Sequence, residues 1–110
     1  MEIPSRIFFA EKKIKERLEE LRNGKTKEKE LYDFIIRAFE DLKKNAFAGI
    51  QVPKKLIPKE YLKFGIDNLW KYNLPSAWRI LYSVGKEGVQ VLSIILEWMD
   101  HKEYERRFNY

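Results

Sequence analysis

Through residues 1–45, apolar side chains recur at the spacing of an amphipathic helix. Ile14, Leu18 and Leu21 predict a first helix, which ends at Asn23-Gly24 because glycine tolerates the left-handed conformation of a helix C-terminus. A second and clearer helix follows, with Thr26 as its predicted cap and one apolar face made of Leu31, Phe34, Ile35, Ala38 and Leu42. We therefore predict a helical hairpin, preceded by a candidate strand at residues 7–9.

The pattern changes from helical to alternating after Gly49. It predicts strands at residues 50–52, 68–72, 77–84 and 89–98, of which the last is apolar on both faces at its centre. A helical turn at 58–64, a turn at 73–76 and a hairpin loop at 85–88 separate these strands. Asp100 and Glu103 then form a capping pattern for a terminal helix over residues 101–108.

These elements predict one domain, residues 1–110, of the α+β class. Consecutive strands with short turns favour an antiparallel sheet of about four strands, with the helices on one of its faces. The N-terminal helical hairpin is expected to pack on this sheet, and a short C-terminal helix completes the domain.

Composition and charge narrow the function classes. The chain has no cysteine, which excludes disulfides and thiolate metal sites and favours a cytoplasmic location. No apolar run approaches the length of a membrane span, so we expect no membrane partner. The formal net charge of +5 is spread over both halves of the chain and favours a polyanion or an acidic protein as the partner. No nucleotide loop or metal-ligand motif is present, so neither a cofactor nor a metal is expected.

Two residues near the predicted sheet could carry catalysis. His101, the only histidine, starts the terminal helix, with Tyr104 on the same helical face, and imidazole suits a general acid or base. The alternative is a histidine that merely fills an exposed helix start. Arg79 lies within an otherwise apolar strand, where its guanidinium suits a phosphate. The alternative is a structural ion pair with Glu97 on the next strand.

Other basic and aromatic side chains are candidate contacts for a phosphate backbone or for stacked bases. Lys54 and Lys55 form a basic corner between two prolines, although they could equally be solvated loop charge. Arg107 and Tyr110, with Arg106, make a second basic and aromatic group at the end of the chain. Three tryptophans could stack on bases, but we expect at least two in the core, since tryptophan buries much area in a small domain: Trp70, Trp78 and Trp98.

Three segments resemble the RelE/ParE toxin superfamily. Residues 68–82 resemble its paired sheet strands, in which an arginine, two aliphatic residues and a tyrosine are typical, as in Arg79-Ile80-Leu81-Tyr82. Residues 94–104 resemble the family's last strand and its ending, an aliphatic run followed by His101-Lys102 and Tyr104. Residues 42–49 are similar to the exit of its helical hairpin. The resemblance spans nearly the whole chain.

The resemblance implies a RelE-like toxin of a type II toxin–antitoxin system, silenced by an acidic antitoxin with which a heterotetramer can form. Such a toxin is an endoribonuclease that cleaves messenger RNA on the ribosome, without metal, by attack of the RNA 2′-hydroxyl on the scissile phosphate. Arg79 would then stabilise the phosphate, His101 would act as acid or base, and Tyr104 would orient or stack. Lys54, Lys55 and, more weakly, Lys71 would hold the RNA backbone.

The chain departs from this pattern at Trp70 and Lys71, where many members of the family have further arginines. Two alternatives therefore stay open. One is a non-catalytic ParE-like toxin or binding module that acts on a protein target such as gyrase. The other is an inactive relative that kept the fold and the groove for an antitoxin but lost the activity.

Overall fold

The structure, a computed structural model, describes residues 2–109, so the predicted RNA contact Tyr110 lies outside the described residues. Its helices are α1 (Lys12–Arg22), α2 (Thr26–Lys44) and α3 (His101–Phe108). Its strands are β1 (Arg6–Phe9), β2 (Ile50–Val52), β3 (Leu69–Asn73), β4 (Arg79–Glu87) and β5 (Gln90–Met99). Short 3₁₀ turns lie at Lys54–Leu56, Lys59–Phe64 and Pro75–Ala77. Within residues 2–109, no helix is long and apolar enough to cross a membrane.

Helices α1 and α2 follow the predicted apolar spacing. Ile14 and Leu18 of α1 are buried, as are these residues of α2: Leu31, Ile35, Ala38, Phe39 and Leu42. The prediction that Thr26 caps α2 is wrong, because Thr26 is already helical. The Glu28 carboxylate instead accepts the Lys25 backbone N–H at 3.1 Å, and it also suits the positive end of the helix dipole.

The sheet has five strands in the order β1-β5-β4-β3-β2. The α+β class is confirmed, and β2 to β5 are antiparallel as predicted, but the sheet is larger than the predicted four or so strands. Strand β1 is a fifth strand and pairs with β5 in parallel, from Arg6 opposite Leu92 to Phe9 opposite Ile95, which makes the sheet mixed. This pairing joins segments that are far apart in sequence, so no local pattern could predict it.

Alternate residues of β4 divide the core into two clusters. Ile80 and Tyr82 pack with α1 and α2 on one side, which we call the helix-pair face. Leu81 packs on the other side with Tyr61 and Tyr104, and we call this the α3 face. Since α3 and the helical pair cover opposite faces, the prediction that the helices share one face is wrong.

A β-bulge in β5 contributes to this division. Leu81 pairs with Glu97 and Tyr82 with Ile95, so Leu96 is the extra residue. Leu96 packs in the cluster of the α3 face, and Glu97 also contacts α3 through Arg107. Two consecutive residues therefore serve the same face, which a regular strand would not allow.

Gly49 lies where the chain leaves α2 and enters β2. Its N–H donates to the Tyr82 hydroxyl at 3.0 Å, and that hydroxyl donates to the Ala46 carbonyl at 2.9 Å. A Cβ atom at Gly49 would lie 2.5 Å from the Lys71 carbonyl oxygen, a distance that no side chain tolerates. Glycine thus lets β2 and β3 approach the exit of α2, and it fixes the position of Lys71.

Candidate functional site

The pairing of β4 with the end of β5, and the start of α3 just after β5, bring Arg79 and His101 together. Arg79, the first residue of β4, pairs with Met99 at the end of β5, and α3 begins two residues later at His101. An Nη1 atom of Arg79 consequently lies 3.2 Å from Nδ1 of His101. The two strongest catalytic candidates of the sequence are in direct contact.

The start of α3 fixes the direction of the His101 side chain. As predicted, Asp100 caps the helix, and its carboxylate accepts the Glu103 backbone N–H at 2.9 Å. Tyr104 is one helical turn after His101 and points to the same side, where it is buried in the sheet core. A capped helix start is a rigid support for a titratable side chain.

Tyr104 holds two cations on its ring. The Arg79 guanidinium carbon lies 4.2 Å from the ring centroid, and the Lys71 ammonium lies 5.0 Å from the same centroid. Lys71 also donates to the Tyr104 hydroxyl at 3.2 Å, while Phe108 stacks on the ring at 4.3 Å. Cation–π attraction thus keeps two positive groups near one point of the surface. We call Lys71, Arg79, His101 and Tyr104 the Tyr104 cluster.

The contact with Arg79 assigns the tautomer of His101. A guanidinium can only donate hydrogen bonds, so Nδ1 of His101 must accept and carries no proton. Nε2 lies 3.4 Å from the Glu105 carboxylate, one turn further along α3. The imidazole thus lies between a cation, Arg79, and an anion, Glu105.

Arg79 keeps donors available beyond its contact with His101. Its Nε is buried and has no hydrogen-bond partner among the described residues. Leaving a buried donor unpaired costs about 1–3 kcal/mol, so the folded structure carries this cost at Arg79. The predicted alternative, an ion pair between Arg79 and Glu97, is wrong, because Glu97 pairs with Arg107 instead.

The turn before β4 is strained. As predicted, the chain turns at residues 73–76, and strand β4 begins at Arg79, two residues later than predicted. Ser76 and Ala77 have φ angles of 60° and 62°, in the left-handed region that costs a non-glycine residue about 1–2 kcal/mol. A backbone hydrogen bond of 2.7 Å from Leu74 N to Trp78 O closes the turn. The folded structure therefore maintains a strained backbone directly before Arg79.

Arg107 anchors α3 to the sheet. Its guanidinium contacts the Glu97 carboxylate at 2.5 Å and the Tyr61 hydroxyl at 3.3 Å, with Glu60 and Glu103 each at 3.7 Å. Burial alone would lower the pKa of Arg107, but Glu97, Tyr61 and Glu60 together outweigh burial and the pKa is raised. Burial and the neighbouring Glu97 likewise raise the pKa of Tyr61. The charge of Arg107 is thus already balanced by carboxylates.

The other candidates lie apart from the Tyr104 cluster. Lys54 and Lys55 are exposed in a 3₁₀ turn beside β2, and among residues 2–109 neither contacts the cluster through a hydrogen bond or an ion pair. Arg106 pairs with Glu103 at 2.7 Å. All three tryptophans pack against the helix-pair cluster.

A cavity of about 180 Å³ adjoins the Tyr104 cluster on the side of Lys71. Besides Lys71 and Tyr104, it is lined mainly by apolar residues of β2 and the following turn and by Phe108. Sequence reasoning missed Phe108 and Glu105, although the spacing of Glu105 from His101 on one helix was a signal for their contact. Within residues 2–109, no three acidic, histidine or cysteine side chains are grouped so that they could hold a metal ion.

The chain was also compared with known proteins. No protein-family model, no curated protein and no solved structure matches it. The functional argument therefore rests on the residues and geometry of the Tyr104 cluster.

Proposed function

We propose that this protein is a metal-independent endoribonuclease, a RelE-like toxin that cleaves messenger RNA on the ribosome. The observation that carries the proposal is the contact of Arg79 with both His101 and the ring of Tyr104, next to Lys71. A phosphate-binding cation, a proton-transfer group and a second cation are what cleavage by the 2′-hydroxyl requires.

Arg79 would bind the scissile phosphate. The guanidinium rests on the Tyr104 ring and contacts Nδ1 of His101, so it is oriented before a ligand arrives. Preorganised donors of this kind stabilise the charge that develops on phosphate oxygens, and no reorganisation is needed during the reaction. Tyr104 is a positioning residue in this scheme.

His101 would be the general base. When a phosphate takes the N–H donors of Arg79, Nδ1 of His101 loses its hydrogen bond and becomes free to accept the proton of the 2′-hydroxyl. The 2′-oxygen then forms a bond to phosphorus as the bond to the 5′-oxygen breaks. The Glu105 carboxylate, 3.4 Å from Nε2, would stabilise the imidazolium that results.

Lys71 would protonate the departing 5′-oxygen, because its ammonium lies 5.0 Å from the centroid of the same Tyr104 ring that carries Arg79. The products are a 2′,3′-cyclic phosphate and a 5′-hydroxyl; His101 then returns its proton to solvent, and Lys71 regains a proton from solvent. Lys54 and Lys55, both exposed beside β2, would hold the RNA backbone further along the strand.

The partners follow from the same proposal. The net charge of +5 suits the ribosome and messenger RNA, and it equally suits an acidic antitoxin that would silence the toxin in a heterotetramer. A cytoplasmic location belongs to this proposal, since ribosome and message are there.

The test is messenger-RNA cleavage on programmed ribosomes, mapped by primer extension. We expect codon-phased cuts with the wild type and at least about a hundredfold slower cleavage with His101→Ala, because general-base catalysis contributes that much. Lys102→Ala is the matched control, since Lys102 is the exposed neighbour of His101 on α3. This variant should cleave like the wild type.

Each outcome decides between the candidate functions. Growth arrest with an intact message would reject the nuclease and favour a protein target such as gyrase. An intact message with normal growth would indicate an inactive relative. If His101→Ala cleaves the message as fast as the wild type, the assigned site is wrong.

A further inference from the structure

A groove of about 800 Å³ crosses the helix-pair face beside the exit of α2. It lies on the side of the sheet opposite the Tyr104 cluster, because Trp70 packs toward the helices whereas its neighbour Lys71 reaches Tyr104. Phe47 and Trp70 form one end of the groove, with ring centroids 5.2 Å apart. Phe47 remains 43% exposed, so an aromatic face is available to a ligand.

The opposite end of the groove is basic. Lys54 follows β2 and Lys86 lies near the end of β4, and strand pairing through β3 brings both to the same end of the sheet. Both are exposed, and within residues 2–109 neither side chain makes an ion pair or a hydrogen bond. Asp67 is the acidic residue of the lining, so the groove has an excess of positive charge.

The floor between the two ends is polar and rigid. The Asn68 amide oxygen accepts the Val84 N–H at 2.8 Å, and its amide nitrogen donates to the Val84 carbonyl at 2.9 Å. The Ser83 hydroxyl adds a third bond to Asn68 at 3.2 Å. Gln51, paired with Trp70 across β2 and β3, is exposed in the lining and brings an amide that can read a base edge.

We propose that this groove binds single-stranded RNA, with one base stacked on Phe47 and phosphates held by Lys54 and Lys86. Aromatic faces beside uncompensated lysines are the combination by which proteins bind single strands without strict sequence preference. A purely apolar peptide would use the aromatic end but leave both lysines unsatisfied. The groove is a second RNA site, separate from the reacting atoms, and the proposal does not require that the protein cleaves RNA.

One RNA molecule can occupy both RNA sites. Strand β2 is the edge of the sheet, and Lys54 and Lys55 follow it directly. A single strand that leaves the Tyr104 cluster can therefore pass this edge and reach the groove on the other face. This extension alone rests on the proposed function.

The test is binding of a fluorescent 2′-O-methyl RNA of about twelve nucleotides, a length typical of such sites, measured by anisotropy. The 2′-O-methyl group prevents cleavage, so affinity is measured independently of catalysis. We expect Phe47→Leu to weaken binding about tenfold, since it keeps an apolar side chain but removes the stacking face. Phe8→Leu, at a phenylalanine that is 55% exposed on the far edge strand, is the matched control and should bind normally.

A salt titration tests the lysines separately. Each phosphate contact on a single strand contributes about 0.7 to the slope of log affinity against log salt concentration. Lys86→Ala should lower the slope by that amount, and the indole N–H resonance of Trp70 should shift when RNA binds to the wild type. Both readouts are local and need no loss of folding.

The results separate this proposal from the proposed function. Weaker binding by Phe47→Leu supports the groove even if no RNA is ever cleaved. Unchanged RNA affinity of Phe47→Leu overturns it, even if His101→Ala abolishes cleavage. If Phe47→Leu instead changes the sedimentation mass of the protein and not its RNA affinity, the groove is an interface between copies and the proposal is wrong.

Discussion

The two faces of the sheet are covered in different ways. Helices of eleven and nineteen residues cover the helix-pair face, and their inward positions are aliphatic or aromatic. The α3 face is covered by one helix of eight residues and by 3₁₀ turns, and charged side chains reach into its margin. The helix-pair face provides most of the stability. The α3 face, which one short helix covers, presents Lys71, Arg79 and His101. Variants of the two faces should therefore have separable effects.

The largest effect on stability is expected on the helix-pair face. Leu42 is fully buried between α2 and the sheet, so Leu42→Ala should lower the free energy of unfolding by about 3 kcal/mol through lost contacts and a cavity. Urea unfolding measures the change. Leu62→Ala, at a leucine that is 61% exposed, is the control and should cost less than about 0.5 kcal/mol. Equal losses for both variants would refute this assignment of the core.

Arg79→Ala should strongly impair cleavage but change the stability little. It removes the guanidinium that we assign to the phosphate, so cleavage should slow by at least about a hundredfold. The free energy of unfolding should change by no more than about 1 kcal/mol, because the lost contact with His101 is exposed and the buried Nε of Arg79 has no partner among residues 2–109. Cleavage assays and urea unfolding on the same preparation test both statements. Arg37→Ala, on the exposed side of α2, is the matched control.

A smaller and local effect on stability is expected when the contact between Glu97 and Arg107, which anchors α3, is weakened. Glu97→Gln weakens the contact with Arg107 and should loosen α3 by about 1–2 kcal/mol. Hydrogen exchange should therefore accelerate at the backbone amides of α3 and stay unchanged in α2. Cleavage should fall in parallel, since α3 carries His101. Equal acceleration in both helices would mean that the pair stabilises the whole domain and does not specifically hold α3.

The smallest effect at neutral pH is expected for Tyr82→Phe, about 1 kcal/mol from the lost bonds to Gly49 and Ala46. Burial raises the pKa of Tyr82 from 10.0 to about 12. Since the folded-state pKa is the higher one, this stabilisation is complete below pH 10 and is lost as the pH rises toward 12. Stability of the wild type should thus fall more steeply above pH 10 than that of Tyr82→Phe. Parallel curves would contradict the assignment.

Which parts of the fold could be predicted from the sequence depended on how far apart in the chain the contacting residues lie. The spacing of Ile14 and Leu18 predicted α1 because helix contacts are local, and Asp100 predicted the start of α3 for the same reason. The parallel pairing of β1 with β5 and the bulge at Leu96 could not be predicted, because both depend on partners distant in sequence. The position of α3 on the opposite face was missed for the same reason.

The candidate site was predictable residue by residue but not as a geometry. Arg79, His101 and Tyr104 were chosen for their chemistry, and the structure brings all three together. The partner expected for Arg79 was wrong, since Glu97 pairs with Arg107 instead. Residue types indicate which chemistry is available, whereas strand register decides which groups meet.

The chemical ends of the cleaved RNA test the central claim most directly. RNA from a programmed-ribosome reaction would be treated with a phosphatase that cannot open a cyclic phosphate, and its termini would be identified by mass spectrometry. Attack by the 2′-hydroxyl predicts a 2′,3′-cyclic phosphate on one product and a 5′-hydroxyl on the other, both absent with His101→Ala. A 3′-hydroxyl with a 5′-phosphate, or no cleavage at all, would contradict the account.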